Sequence, residues 1–327
     1  MSVPAEVDGF DAGPLGRLAL SRSAVDRATQ RRSDAEWIEA AWADPRTRVV
    51  VVHASQALGR ISDGRPELVF ASAAEAPEGT RFFLGIDDDE VSYFGVSAVA
   101  EAEPWAWSSE AGAEPISLRV AGALLSDRDA GLLTHAVALA NWHDTHTHCP
   151  RCGAATVPAP AGHITVCPVD GTEHFPRLDP AVIMLVTDPD DRCLLARNAL
   201  WPKGRMSVLA GFVEPGESAE HAVVREVFEE AAIVVGQVRY LGSQPWPMPR
   251  SLMLGYQAVA AAGQSITVDE EEIGEARWFS RAELRAAIDN GEIGIAPSSS
   301  IARRLIEYWY GGDLPDGPSS SWIRPSR

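Results

Sequence analysis

The chain has no apolar run of about 18 residues, so the sequence offers no transmembrane helix. Its first residues, MSVPAEVDGFDAG, carry neither a basic stretch nor an apolar core, which argues against a signal peptide and for the cytoplasm. Basic charge is scarce: 28 Lys and Arg stand against 46 Asp and Glu, a net charge of −18. Such a surface repels extended polyanions and weakens any reading as a general nucleic-acid binder. Acidic groups do suit a site where metal ions bridge to phosphate. Cysteine is rarer still, with four in 327 residues. Cys149, Cys152 and Cys167 fall within 19 residues while Cys193 stands apart. In a cytosolic chain that clustering reads as metal binding rather than a disulfide framework. No repeat of fixed period is present.

What is there divides into four stretches. Residues 1–145 read as an N-terminal α/β domain with a structural or dimerising role. Its strand-like runs are RTRVVVVHAS, PELVFAS, RFFLGID and VSYFGVSAVA, and its last helix is capped by Ser126. Residues 146–177 are rich in Cys, Gly, Pro and His and read as two turns joined by short strands. Residues 178–312 alternate strands and helices: AVIMLVTDPDDRCLLARN is a strand, a turn and a return strand, and AEHAVVREVFEEAAI is helical with Ala222, Val223, Val227 and Ala231 facing a core. Ser280 and Glu283 form a capping box for a further helix. Residues 313–327 read as a loose tail.

The segment Gly211–Ile233 holds six glutamates. On a helix Glu226, Glu229 and Glu230 share one face, where like charges destabilise unless a cation reverses the sign. Mg²⁺ and Mn²⁺ take such hard oxygen ligands together with substrate phosphates. The preceding loop offers backbone groups at Ala210 and Gly211, and Arg225 is spaced to pair with Glu217 bidentately. Gly211, Glu217 and Arg225-Glu226-Val227-x-Glu229-Glu230 together resemble the signature of the Nudix hydrolases, an α/β/α sandwich that cleaves a nucleoside diphosphate linked to another moiety. The signature expects Gly where this chain has Ala232. Either a strained left-handed alanine ends the helix, at about 1 kcal/mol, or the helix runs on towards Gly236.

Gly242–Ser251, GSQPWPMPRS, places Pro245, Pro247 and Pro249 around Trp246 and reads as a stiff extended segment. It resembles the SQPWPFPxS array of the NADH pyrophosphatases within that superfamily, with Met248 in place of Phe. The Cys-rich insert, EHFPRLDPAVIMLV and ARRLIE extend the resemblance over residues 145–310. It implies hydrolysis of NADH and NAD to a nicotinamide mononucleotide and AMP, removal of NAD caps from RNA 5′ ends, and a homodimer. It further implies that Glu226, Glu229, Glu230, Glu272 and the Ala210 carbonyl hold Mg²⁺ or Mn²⁺, with Glu230 also the base. Phe175 and Phe212 match the adenine-holding aromatics. Gln244, Pro245, Trp246, Pro247, Met248, Pro249, Arg250 and Ser251 match the nicotinamide-side segment, and Glu275 and Ala302 join the substrate-binding set.

Cys149-x-x-Cys152 and Cys167 resemble that family's zinc ribbon, which has four cysteines. Here Asp170 stands in the fourth place, a rarer but legitimate zinc ligand. His174, His163 and His148 are neighbouring substitutes, and a metal-free vestigial ribbon is the other reading. Cys193 is assigned to the core. Two further functional readings stay open: a broader hydrolase of ADP-ribose or diadenosine compounds, kept alive by Met248, and a non-catalytic nucleotide or RNA binder on the same fold.

Overall fold

The computed structural model describes residues 13–99 and 103–315. Most of the tail expected to be loose, from 316 onward, lies outside them, as do residues 1–12. The described chain forms two units. One holds Arg22–Leu178 and Trp246–Arg250; the other holds residues up to Ser21, Asp179–Pro245 and the chain from Ser251.

In the first unit α1 (Ala35–Ala43) precedes β1 (Arg48–Val52), β2 (Gln56–Ser62), β3 (Arg65–Leu68), β4 (Gly79–Ile86), β5 (Ser92–Ala98) and β6 (Glu114–Ser117). One three-stranded sheet has the order β1-β5-β4, with β1 parallel to β5, and the other is the antiparallel β3-β2-β6. All four valines of β1 are buried, and Val49 and Val51 pack in one core with Phe83, Phe94 and Ile38. The short α2 (Leu118–Ala121) leads to α3 (Asp127–Thr145). Ser126 caps α3 by accepting from the Asp129 N–H at 3.1 Å, as its sequence predicts. Three two-residue strands follow: β7 (Val157–Pro158), β8 (Thr165–Val166) and β9 (Glu173–His174), a small antiparallel ribbon. It is tied into this unit by the Phe83 N–H to Ala161 carbonyl bond of 3.0 Å and by His163 at 2.7 Å from the Phe83 carbonyl.

The second unit is built on β10 (Asp179–Thr187), β11 (Cys193–Asn198), β12 (Leu209–Phe212), β13 (Val235–Trp246), β14 (Ser251–Ala260) and β15 (Ile273–Phe279). Their sheet runs β13-β14-β10-β11-β15, with β12 also on β10. Strand β10 alternates with period two. Val182, Met184 and Val186 enter one core with Val223, Val227 and Ala231 of α4 (Ala219–Ala231). Ile183 and Leu185 enter the opposite core with Leu284 and Ile288 of α5 (Arg281–Asp289) and Leu305 and Ile306 of α6 (Ile301–Tyr310). A sheet between two helical layers results. The capping box of Ser280 and Glu283 is present, and Cys193 is fully buried.

Two expectations are resolved. Helix α4 ends at Ala232 in the left-handed conformation (φ 54°, ψ 30°), its N–H bonded to the Phe228 carbonyl, and not at Gly236. The Pro-rich segment is extended only to Trp246; Pro247–Arg250 forms the turn between β13 and β14. Proline's fixed φ near −65° suits a turn as well as an extended chain.

Candidate active site and thiol cluster

The loop after β12 and the helix α4 form one hydrogen-bonded object. Ser218 caps α4 by accepting from the His221 N–H at 3.2 Å. Arg225 donates to both Glu217 oxygens, from Nε at 2.9 Å and Nη2 at 2.8 Å, the bidentate pairing its spacing predicts. It also donates from Nη1 to Glu226 at 2.8 Å and Glu229 at 2.9 Å, and from Nη2 to the Phe212 carbonyl at 2.9 Å. One guanidinium thus joins strand end, loop and helix. Its bonds hold Glu217 down at about 2. A Cβ on Gly211 would fall inside the Glu226 carboxylate where Arg225 holds it, so a larger residue here would displace that carboxylate.

Glu226, Glu229 and Glu230 do share a face, but their environments differ. Glu229 is exposed, with 56% of its side chain open, while Glu230 is 8% exposed. Burial raises Glu226, against the pull of Arg225. Burial first, then the charges of Glu226, Glu272 and Glu229, pushes Glu230 up to about 8. Its Oε2 is buried without a hydrogen-bond partner. Glu272 lies near enough for its charge to act on both. A buried carboxylate oxygen left open beside three other carboxylates is a donor set that fits a hard divalent cation.

Phe175 and Phe212 are both exposed, at 61% and 59%, unusual for phenylalanine and free to stack. Ala210 is exposed on β12 opposite Ile183. Glu275 is exposed on β15. Gln244 and Ala302 are different. Gln244 is fully buried: its Oε1 accepts from the Leu20 N–H at 3.3 Å and its Nε2 donates to the Ser299 carbonyl at 3.1 Å. These two bonds hold Gln244 and the end of β13 in place. Ala302 is 2% exposed and its N–H is taken by Ser300 Oγ at 3.2 Å. Gln244, Pro245 and Ser251 belong to the second unit, and Trp246, Pro247, Met248, Pro249 and Arg250 to the first.

The bracing of that turn was missed from the sequence. Asn141 of α3 donates to the Pro247 carbonyl at 2.7 Å and the Pro249 carbonyl at 3.4 Å, while its Oδ1 accepts from Ser55 Oγ at 2.8 Å. The Arg119 guanidinium lies 5.1 Å from the Trp246 ring centre. The only available signal was a polar Asn in the apolar run AVALANW.

The ribbon carries two matching turns. In Cys149-Pro-Arg-Cys152-Gly153 the Gly153 N–H returns to the Cys149 carbonyl at 2.9 Å; in Cys167-Pro-Val-Asp170-Gly171 the Gly171 N–H returns to the Cys167 carbonyl at 3.0 Å. Both glycines have φ above 70°. The turns bring Cys149, Cys152, Cys167 and Asp170 together with ligand atoms all within 4.8 Å. Cys152 and Cys167 sulfurs are 3.5 Å apart and unbonded. The Thr172 N–H, then Cys167, holds Asp170 down at about 2. Burial pushes the Cys167 thiol up to about 11. His163 is spent on Phe83, and His148 Nδ1 lies 2.8 Å from Thr147 Oγ1. Three thiols and a carboxylate so placed fit structural zinc.

Signature loop, carboxylate helix and three-layer sandwich define a Nudix hydrolase. A NUDIX domain model matches residues 177–298, an NADH pyrophosphatase zinc ribbon domain residues 144–175, and an NADH pyrophosphatase-like rudimentary NUDIX domain residues 46–142. The chain is 41% identical over 320 residues to the "NAD-capped RNA hydrolase NudC" of Mycobacterium bovis (strain BCG / Pasteur 1173P2), covering 93% of this chain and 98% of that protein. The Mycobacterium tuberculosis (strain ATCC 25618 / H37Rv) protein of that name gives the same identity and coverage. Human "NAD-capped RNA hydrolase NUDT12" is 32% identical over 337 residues, covering 89% of this chain and 72% of that one. The chain belongs to this NADH pyrophosphatase and NAD-capped RNA hydrolase family. No helix among the described residues is long and apolar enough to cross a membrane.

Proposed function

We propose that the protein hydrolyses the pyrophosphate bond of NADH and NAD, giving the nicotinamide mononucleotide and AMP, and removes NAD caps from RNA 5′ ends. The observation that carries this is the α4 carboxylate cluster, fixed by Arg225 and left with an open buried oxygen on Glu230. Glu226, Glu229, Glu230, Glu272 and the Ala210 carbonyl are the groups that would hold Mg²⁺ or Mn²⁺. Such ions neutralise phosphate charge and make the attacking water more acidic. Glu230, whose environment resists ionisation without a cation, is suited to take a proton from that water. Arg225 keeps the carboxylates placed. Phe175 and Phe212 offer faces for adenine, and Gln244, Pro245, Trp246, Pro247, Met248, Pro249, Arg250 and Ser251, with Glu275 and the Ala302 backbone, complete the substrate set.

Zinc on Cys149, Cys152, Cys167 and Asp170 holds a ribbon with little core of its own. The proposed division is 1–145, 146–177, 178–312 and 313–327, in a cytoplasmic homodimer. Reduced thiols suit that compartment, and a two-fold dimer is the commonest oligomer.

Product analysis with NADH, NAD, ADP-ribose, a diadenosine polyphosphate and NAD-capped RNA, each under Mg²⁺ and Mn²⁺, tests the reading. Cleavage of NADH and NAD to AMP supports it. Intact NADH beside hydrolysed ADP-ribose would replace it with the broader hydrolase, and no turnover of any substrate with a non-catalytic binder. Sedimentation at micromolar concentration tests the dimer, which an active monomer would rule out.

A further inference from the structure

This acidic chain carries a basic stretch beside its carboxylate site. Residues 192–213 contain four cations, Arg192, Arg197, Lys203 and Arg205, and no Asp or Glu. Lys203 is the only lysine of the chain. It is exposed and makes no ion pair among the described residues, whereas Arg192, Arg225, Arg277 and Arg281 of the same unit all meet carboxylates. An exposed lysine is ordinarily only solvated; the segment that carries this one sets it apart.

Lys203 lies in the connection between β11 and β12, and that connection is firmly built. At its start the Ala199 N–H donates to the Glu272 carbonyl at 2.8 Å, and the Leu200 N–H to Asn198 Oδ1 at 3.0 Å. Arg197 Nη1 donates to the Trp201 carbonyl at 3.1 Å. Further on, the Gly294 N–H donates to the Gly204 carbonyl at 2.7 Å and the Met206 N–H to the Gly294 carbonyl at 2.9 Å. Gly204 has φ 80°, and a Cβ there would come within 2.6 Å of the Glu292 carbonyl, so this turn needs glycine. A backbone held at both ends could tuck its large apolar side chains away. Instead Leu200 is 86% exposed. The Trp201 ring is half-buried, with the Arg205 guanidinium 4.6 Å from its centre. A fixed backbone that presents an aliphatic side chain, an indole, a guanidinium and an amine suits a partner with flat rings and negative charge.

We propose that the β11–β12 connection binds the RNA strand that follows the cap, with bases against Leu200 and Trp201 and backbone phosphates against Lys203 and Arg205. The proposal rests on the removal of NAD caps put forward above and names the surface that would recognise the rest of that substrate. The connection starts beside Glu272, one of the carboxylates assigned to the catalytic cation, so it borders the place where the cap would be held. Single strands are bound by stacking faces combined with cations, and the prevailing negative charge of this chain repels them elsewhere. Free NAD has no strand to offer, so the connection separates capped RNA from the dinucleotide.

Two measurements on the full-length, zinc-replete protein test this. The first compares kcat/KM for a short NAD-capped RNA with that for NAD, under Mg²⁺, in the native protein, Lys203→Gln, Lys203→Arg and Trp201→Leu. Lys203→Gln and Trp201→Leu are expected to lower the capped-RNA value about fivefold or more, as loss of a phosphate contact or a base stack predicts, and to leave the NAD value unchanged. Lys203→Arg keeps the charge and should keep the rate. Lys203→Gln should also flatten the slope of log kcat/KM against log salt by about 0.7, for the RNA alone. The second measurement reads contact directly. Lys203 is the one side-chain amine, so brief acetylation with an N-hydroxysuccinimide ester, mapped by mass spectrometry, reports on it and the α-amine only. In Glu230→Gln without Mg²⁺, the capped RNA should protect Lys203 from acetylation and NAD should not. Equal losses for RNA and NAD, no loss for either, or labelling unchanged by RNA overturns the proposal. If the native protein cleaves neither substrate, the proposed hydrolysis fails, and protection alone then decides whether the strand is bound here.

Discussion

The carboxylates of α4 are held by a helix, the thiols of the ribbon by turns. Helical spacing sets Glu226, Glu229 and Glu230 side by side, and Arg225 covers one flank only. Glu230 Oε2 stays open and its carboxyl is driven up to about 8. Two copies of one turn instead close Cys149, Cys152, Cys167 and Asp170 around a point, with every ligand atom within 4.8 Å of the others. Hard ligands with a free side suit a cation that must also meet phosphate; a closed set of three thiols and one carboxylate suits an ion that only ties chain to chain. The difference between a working centre and a fastening lies in what each cluster leaves unfilled.

Substitutions can break that contrast. Glu230→Gln keeps the volume and removes the proposed base, so NADH turnover under Mg²⁺ is expected to fall roughly 10²-fold or more, with the melting temperature preserved or raised. Near-normal turnover would take Glu230 out of its role. Cys149→Ser should act oppositely. Zinc content by elemental analysis should drop below one per chain and the melting temperature fall by about 10 °C, while kcat at a permissive temperature changes far less. Asp170→Ala sharpens the point: a loss of zinc assigns the fourth ligand to the carboxylate, and unchanged zinc moves it to His174.

Smaller effects come from the supports. Asn141→Ala removes both donors from the turn carrying Trp246. With about 1 kcal/mol per hydrogen bond, KM for NADH should rise about fivefold at nearly constant kcat, and an unchanged KM would reduce Asn141 to a packing residue. Ala232→Gly relieves a left-handed alanine. Denaturation should show a gain of up to about 1 kcal/mol, without change in turnover.

The carboxylate site was legible because its chemistry is local. Spacing alone puts three glutamates on one helix face and Arg225 within reach of Glu217, and the core positions Ala222, Val223, Val227 and Ala231 follow from the same period. The pairing of the two ribbon turns was legible too, since Cys-Pro-x-Cys-Gly and Cys-Pro-x-Asp-Gly repeat one pattern. What stayed hidden depends on long-range contact. Nothing near Gln244 in sequence announces that its amide bonds to Leu20 and Ser299, and nothing in AVALANW shows that Asn141 meets Pro247. The likeness of residues 46–142 to a rudimentary NUDIX domain was equally unreadable, because that stretch carries no counterpart of the glutamate signature. The difference in burial between Glu229 and Glu230, adjacent on one helix, exists only once the sheet is in place.

Asp170 has a consequence for oxidative stress. A ribbon with four thiols can be oxidised into two disulfides, which would leave no ligand for its ion. With a carboxylate at the fourth corner, intramolecular oxidation within this set stops at one disulfide, leaving one thiol and one oxygen ligand that cannot take part. A single reduction would then restore the whole set, which halves the repair needed before the cluster could again hold a metal ion.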